Sequence, residues 1–324
     1  MDGETIADKA LFDAAKKEGV LNIYGGGTPA NQKVMSTAFT KDTGIKVTFV
    51  RATSRQLFPR VLAEHNAGRL GADFVDFTDL TFVLQLVEKG VLTVPHKIPN
   101  WDAIAPVMKD PQGRWYTFMR LTQAIGVNTA IVKPADMPVG FADLLAPKWK
   151  NRLAMPTIDA GGSSFAVQAF LKEKMPGDYW KALKTQNPRV YPSVAPTVTN
   201  LVRGEFAAAI VGASTVIQQM RAGAPLKVVY AKEGTPAFPQ SGGATVSAKN
   251  PNAAKLYLNW IMSKRCGDVI ATTGNYGSHP DAKPPQAKDV DFPTQDKLWT
   301  VPAEHWVKVR IPYSTEWRAT FGTK

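Results

Sequence analysis

The sequence predicts an α/β fold with two lobes, and three observations lead there. Short apolar runs alternate with segments of helical spacing. Gly19, Gly68 and Gly90 stand where three of the helical segments stop. Three loops rich in glycine and hydroxyls each join a strand to the helix after it. Strand–helix alternation of this kind calls for layered sheets that are mainly parallel.

Along the chain, Ile6–Lys17 has helical spacing and stops at Gly19, and Val20–Tyr24 reads as a buried strand. Gly25-Gly26-Gly27 breaks that strand, and Thr28 with Pro29 opens the next helix as N-cap and first helical residue. Ile45–Val50 reads as a strand, Gln56–Gly68 as a helix, Asp73–Phe77 as a strand and Leu80–Lys89 as a helix. Pro95–Arg114 is rich in proline and turn residues, and the extended Trp115–Asn128 is a candidate crossover. Asn151–Met155 is a strand, followed by the loop Pro156–Gly162 and a helix over Ser163–Lys174. Ala207–Val211 and Lys227–Ala231 are strands, with the helix Thr215–Arg221 between them. Glu233–Gly243 reads as a Pro/Gly-rich connection and Asn252–Ser263 as an amphipathic helix. A proline-rich tail from Pro280 ends in the aromatic segment Trp299–Phe321.

Composition narrows the function classes. The 324 residues carry 39 Lys+Arg against 27 Asp+Glu, a net charge of +12, and one cysteine. One cysteine excludes a disulfide framework and a four-cysteine zinc site. No apolar run reaches the roughly 20 residues that cross a bilayer as a helix. The basic residues are dispersed and no helix-turn-helix, RNP-type or zinc-finger pattern occurs, so nucleic acid is not expected as a partner. Walker, dinucleotide, nucleophile-elbow and H-E-x-x-H patterns are also missing, and His65, His96, His279 and His305 are scattered. No catalytic residue, metal-ligand set or cofactor is expected.

Ligands of open α/β sheets sit beyond the carboxyl ends of strands. The loops at those positions are Gly25–Thr28, Asp159–Ser164 and Gly212–Thr215. Glycine lets a ligand approach the backbone, a helix start offers free N–H groups, and hydroxyls donate. Such turns also occur as plain N-caps, so one alone carries little; three in one chain carry more.

Several stretches, in order, resemble the periplasmic solute-binding proteins of ABC importers, in the ferric-ion-binding-protein-like group. They include Ala14–Val20, Phe39–Val47, Ala72–Asp76, Asp143–Lys150 with Leu153–Pro156, Val202–Glu205, Glu233–Pro236 and Lys249–Leu256. The resemblance covers roughly residues 10–280. It implies the type II periplasmic-binding fold, with lobes at 1–121 plus 237–290 and at 122–236, the tail 291–324 packing on them. It also implies an inter-lobe cleft that closes on a solute, an inner-membrane permease as partner, and a monomer. Met1–Glu4 has no signal-peptide character. The implied periplasmic location therefore carries the expectation of a signal already removed.

Ferric-binding members of the group use a consecutive tyrosine pair. The matching stretch Gly212–Val216 has no tyrosine, and Gly126–Asn128 lacks a second one used by some members. Serine and threonine are poor ligands for a hard trivalent cation. Ferric transport is therefore the alternative. A small anionic organic solute (a phosphonate, phosphate ester or carboxylate) is the main expectation. The residues expected to bind it are Gly26, Gly27, Thr28, Ser54, Arg55 and Arg120 in the first lobe. In the second lobe they are Asp159, Gly162, Ser163, Ser164, Ser214 and Thr215.

Overall fold

The computed structural model describes residues 1–322. The chain forms two compact units: Met1–Arg120 with Pro239–Pro285, and Leu121–Phe238 with the chain from Gln286 on. The segment expected to be a separate tail clusters with the second unit.

In chain order the elements are α1 (Lys9–Glu18), β1 (Val20–Gly25), α2 (Pro29–Thr43), β2 (Lys46–Arg51), α3 (Ser54–Asn66), β3 (Phe74–Phe77), α4 (Leu80–Glu88) and β4 (Tyr116–Asn128). There follow β5 (Leu153–Pro156), α5 (Gly162–Lys174), α6 (Tyr179–Thr185), β6 (Arg189–Tyr191), α7 (Val194–Val202), β7 (Ala208–Gly212), α8 (Ala213–Arg221) and β8 (Leu226–Val229). The last are β9 (Thr235–Ala244), α9 (Pro251–Ile261), α10 (Lys264–Ala271), β10 (Tyr276–Gly277), β11 (Leu298–Thr300) and α11 (Ala303–Phe321).

In the first unit β1 lies between β2 and β3, parallel to both, while β9 runs antiparallel to β3 and β10 antiparallel to β4. In the second unit β5 lies parallel between β6 and β7, and β4 runs antiparallel to β7 and β8. Each sheet thus has a parallel heart edged by antiparallel strands. The parallel strands put their carboxyl ends on one edge, so the loops after β1, β2 and β3 share an edge, as do those after β5 and β7.

Local chemistry sets the element ends. Asp8 and Thr28 cap α1 and α2 by accepting from Leu11 and Asn31, and Gly19 and Gly44 close those helices at φ 73° and 77°. The first core gathers around Phe39, which meets Tyr257 and Trp260 edge-on at 5.1 and 5.4 Å, while Phe74 meets Tyr257 at 5.1 Å. Trp115, Tyr116 and Phe118 are buried too, so that aromatic stretch is core packing. The second core contains Val198, Leu201, Val211, Val216 and Ile217. Cys266 is fully buried, which pushes its thiol pKa up and makes it a packed, unreactive side chain.

Two segments differ from the sequence reading. Glu233–Gly243 was expected to be a loop, yet Thr235–Ala244 is a strand buried along its whole length. Its glycines serve close approach: a Cβ on Gly242 would stand 2.3 Å from the Val75 carbonyl oxygen, and one on Gly243 2.3 Å from that of Arg114. The aromatic tail is largely the 19-residue helix α11. Trp306, Val309, Trp317 and Phe321 recur there at helical spacing and are buried, and Phe165 packs on Trp306 at 4.9 Å.

Gly242→Ala is expected to lower the denaturation midpoint of the first unit by the equivalent of about 2 kcal/mol or more, because neighbouring backbone must move. A chemical-denaturation series followed by tryptophan fluorescence checks this; an unchanged midpoint contradicts the close-approach reading of β9.

Candidate functional site

In the first unit the loops after β1, β2 and β3 converge. A Cβ on Gly26 would lie 2.9 Å from Ser54 Oγ, and one on Gly27 2.5 Å from Gln240 Nε2. Gly26 therefore meets Ser54, and Gly27 meets Gln240. Ser54 is buried; its Oγ sits 3.1 Å from Thr78 Oγ1 and accepts from the Thr78 amide at 3.3 Å. Thr28 Oγ1 accepts from Asn31 N, which leaves its own O–H to donate. Arg55 is exposed at the second position of α3. Arg120 lies elsewhere in this unit, half-buried on β4 opposite Tyr276, and desolvation lowers its pKa.

Asp76 and Gln240 belong to this cluster and were not among the residues expected to bind the solute. Asp76 is fully buried at the end of β3, and a Cβ on Gly25 would lie 2.5 Å from its Oδ2. Its Oδ1 accepts from Gln240 Nε2 at 2.7 Å and from Gly26 N at 3.2 Å. Burial pushes its carboxyl up to about 7, against the pull of the Gln240, Gly26 and Gly27 donors. Gln240 is 1% exposed, and its Oε1 has no hydrogen-bond partner. By contrast Asp73, three residues earlier, is saturated: it accepts from Asn22 N and Nδ2 and from Asn250 N and Nδ2, all within 2.9 Å. Only the strand register separates the two carboxylates, and it places Asp76 beside the glycine loop.

In the second unit α5 and α8 start at the carboxyl ends of the neighbouring parallel strands β5 and β7. Neither helix start has a side-chain cap. Both therefore present first-turn N–H groups at the positive end of the helix dipole. The turn into α5 runs through Gly161 at φ 147° and ψ −178°, a conformation almost confined to glycine. Gly162 and Ser164 are buried and Ser163 is half-buried; Ser164 Oγ has no hydrogen-bond partner. At α8, Ser214 is buried and Thr215 half-buried. Gln123 of β4 pairs with Gly212 and brings a buried amide to this turn, also missed from the sequence.

Asp159 is drawn the other way. Arg318 Nη1 of α11 donates to its Oδ2 at 2.9 Å, and Arg310 Nη1 stands 4.0 Å from Oδ1. The C-terminal helix thus braces the loop that leads into α5, and this carboxylate is engaged before any solute arrives. A phenol ligand for iron in the first unit would have to come from tyrosines such as Tyr24 and Tyr276. Tyr24 accepts from Arg60 Nη2 at 3.3 Å, and burial together with Glu64 raises its pKa, so its phenol keeps the proton. Tyr276 is buried beside Arg120 on the neighbouring strand.

Two outcomes follow for these carboxylates. The folded protein holds the Asp76 proton more tightly than the unfolded chain, whose carboxyl titrates near 3.8. The stabilisation is fully present below that value and is lost as pH rises toward about 7. Relative to Asp76→Asn, wild type should lose stability on the order of a few kcal/mol between those limits, read from urea midpoints at each pH; parallel curves contradict it. For Asp159, a double-mutant cycle with Arg318→Ala should give a coupling of about 0.5–1 kcal/mol in unfolding free energy, and zero coupling contradicts the brace.

Comparison with known proteins then identifies the chain's family. Residues 70–301 match the family model described as bacterial extracellular solute-binding protein. The Fe(3+)-binding periplasmic protein of Serratia marcescens is 26% identical over 303 residues, 87% of each chain. The periplasmic binding protein AfuA of Actinobacillus pleuropneumoniae, solved with fructose-6-phosphate bound, superposes with TM-score 0.78 at 23% identity over 95% of this chain and 100% of its own. Iron-bound HitA of Pseudomonas aeruginosa superposes with TM-score 0.72 at 18% identity over 92% of this chain and 99% of its own. The second structure holds metal and the first a phosphorylated sugar, so this likeness speaks for the fold and not for the ligand. The strand-end loops and the two-unit α/β build agree with the match, and the chain belongs to the family of bacterial extracellular solute-binding proteins.

Proposed function

We propose that this protein is the periplasmic receptor of an ABC importer for a small anionic organic solute, a phosphate ester, phosphonate or carboxylate. In this reading it performs no chemistry on the solute. It holds one molecule at its strand-end loops and delivers it, as the loaded receptor, to an inner-membrane permease.

The observation that carries the reading is the start of α5. Uncapped N–H groups, the Cβ-free Gly162 and the buried, unpartnered Ser164 hydroxyl stand together there. A buried hydroxyl without a partner costs free energy, and an anion bound at a helix start would supply that partner. The net charge of +12 favours anion approach in general. Ferric iron is less well supported. The start of α8 carries Ala213, Ser214 and Thr215 and no phenol, and the Tyr24 phenol is both engaged and raised in pKa.

A thermal-shift screen of phosphonates, sugar phosphates and carboxylates beside ferric iron should find its stabilising solutes among the organic anions. Ser164→Ala should weaken the best of them about tenfold while leaving the melting temperature of the ligand-free protein within a degree or two, because the hydroxyl bonds nothing in the free protein. Stabilisation by ferric iron alone, with a phenolate-to-metal absorption band, would replace this reading with iron transport.

A further inference from the structure

We propose that Gln123 is a specificity-determining residue that reads a hydroxyl group on the bound solute, so that the receptor selects hydroxylated anions over plain ones. The inference rests on the anionic-solute reading and adds to it the chemistry of the uncharged part of the ligand.

Gln123 is 1% exposed, and neither its Nε2 nor its Oε1 has a hydrogen-bond partner. Other buried amides among the described residues leave at most one end unpaired: Gln240 gives its Nε2 to Asp76, Gln168 gives its Nε2 to Met155 Sδ, and Gln186 gives its Nε2 to the Leu145 carbonyl. An amide sealed from solvent and bonded to nothing is costly to keep inside a sheet, where an apolar side chain of the same length would serve packing better.

Its position gives the cost a use. Gln123 pairs with Gly212, the residue that ends β7 and precedes α8. A Cβ built on Gly212 would find only Gln123 Nε2 at 3.6 Å and Thr215 Oγ1 at 3.7 Å within 4 Å. The amide is therefore aimed at the first turn of α8, which is uncapped and carries the hydroxyls of Ser214 and Thr215. The first turn of this nine-residue helix offers N–H donors and two hydroxyls, and the amide adds donors at Nε2 and an acceptor at Oε1. A carboxylate or phosphate fully ionised is acceptor-only and satisfies Nε2 but not Oε1. A hydroxyl donates to Oε1 and accepts from Nε2, and so supplies a partner to both ends of the amide. A site built to bond a hydroxyl rejects the analogue that lacks it far more strongly than an apolar pocket discriminates by size.

The test is isothermal titration of wild type, Gln123→Met and Gly212→Ala with two matched pairs: glycerol 3-phosphate against n-propyl phosphate, and glycerate against propionate. Wild type should favour the hydroxylated member of at least one pair by about tenfold or more. Gln123→Met keeps the length of the side chain and should bring that ratio close to one, with the affinity for the plain anion changed less than threefold. Gly212→Ala adds a methyl at ordinary contact distance, should fold, and should lose the same preference. The ligand-free melting temperature of Gln123→Met should equal or exceed that of wild type. A preference that survives in both variants overturns the inference and leaves the anion reading standing, as does a marked fall in the ligand-free melting temperature of Gln123→Met. Failure of wild type to bind any of the four anions overturns both.

Discussion

A polar group taken out of water must find a hydrogen-bond partner or weaken the fold by up to a few kcal/mol, and this constraint organises the molecule. Most of the buried and half-buried carboxylates among the described residues meet it internally. Asp73 collects four donors, and Glu18 collects the backbone and side chain of Asn252 and the Ala253 amide. Asp42 takes the Trp260 indole and the Arg265 guanidinium. These carboxylates tie helices to the sheet and helices to each other. Against that background the groups left incomplete at strand ends stand out: Gln240 Oε1 beside Gly27, Ser164 Oγ at the start of α5, and both ends of Gln123 beside Gly212. Other unpaired buried atoms occur away from the loops, as at Trp149 and Trp180, so the weight lies on coincidence with uncapped helix starts rather than on the number of such atoms.

The same constraint separates scaffold from candidate site among residues of similar appearance. Asp159 stands one turn from the start of α5, yet Arg318 and Arg310 of the C-terminal helix hold it. Ser54 shares its hydroxyl with Thr78 and shapes the loop that Gly26 approaches. Asp76 serves that loop as well, accepting from Gly26 and Gln240 while burial keeps its carboxyl easy to protonate. Ser164 and Gln123 have no such internal duty, which is why they carry the functional proposals.

Much of the fold was legible in the sequence because it rests on local signals. Helical spacing ending at Gly19 and Gly90, and Thr28 before Pro29, mark their elements without tertiary help. The glycine and hydroxyl loops were legible for the same reason, since a strand end followed by a helix start is a sequential pattern. What escaped depends on contacts between distant segments. Pro236, Pro239, Gly242 and Gly243 look like loop residues, yet β9 needs glycine there because the Val75 and Arg114 carbonyls approach it. Pro312 in an aromatic tail hides a helix whose buried face appears only when α5 lies against it. Asp76, Gln123 and Gln240 are polar residues in buried strands, and nothing local separates them from Asp73. Pairing register alone brings Gln240 past the end of β3 and Gln123 opposite Gly212.

The central claim is that the buried polar groups left unpaired at the strand ends are there to be completed by a solute. A crystal structure of the protein with the best-bound anion of the screen tests it most directly. The account predicts solute oxygens within hydrogen-bond distance of Ser164 Oγ, the first N–H groups of α5 and the Gln123 amide. A solute bound elsewhere, with Ser164 and Gln123 still unpaired or bonded only to protein, would contradict it.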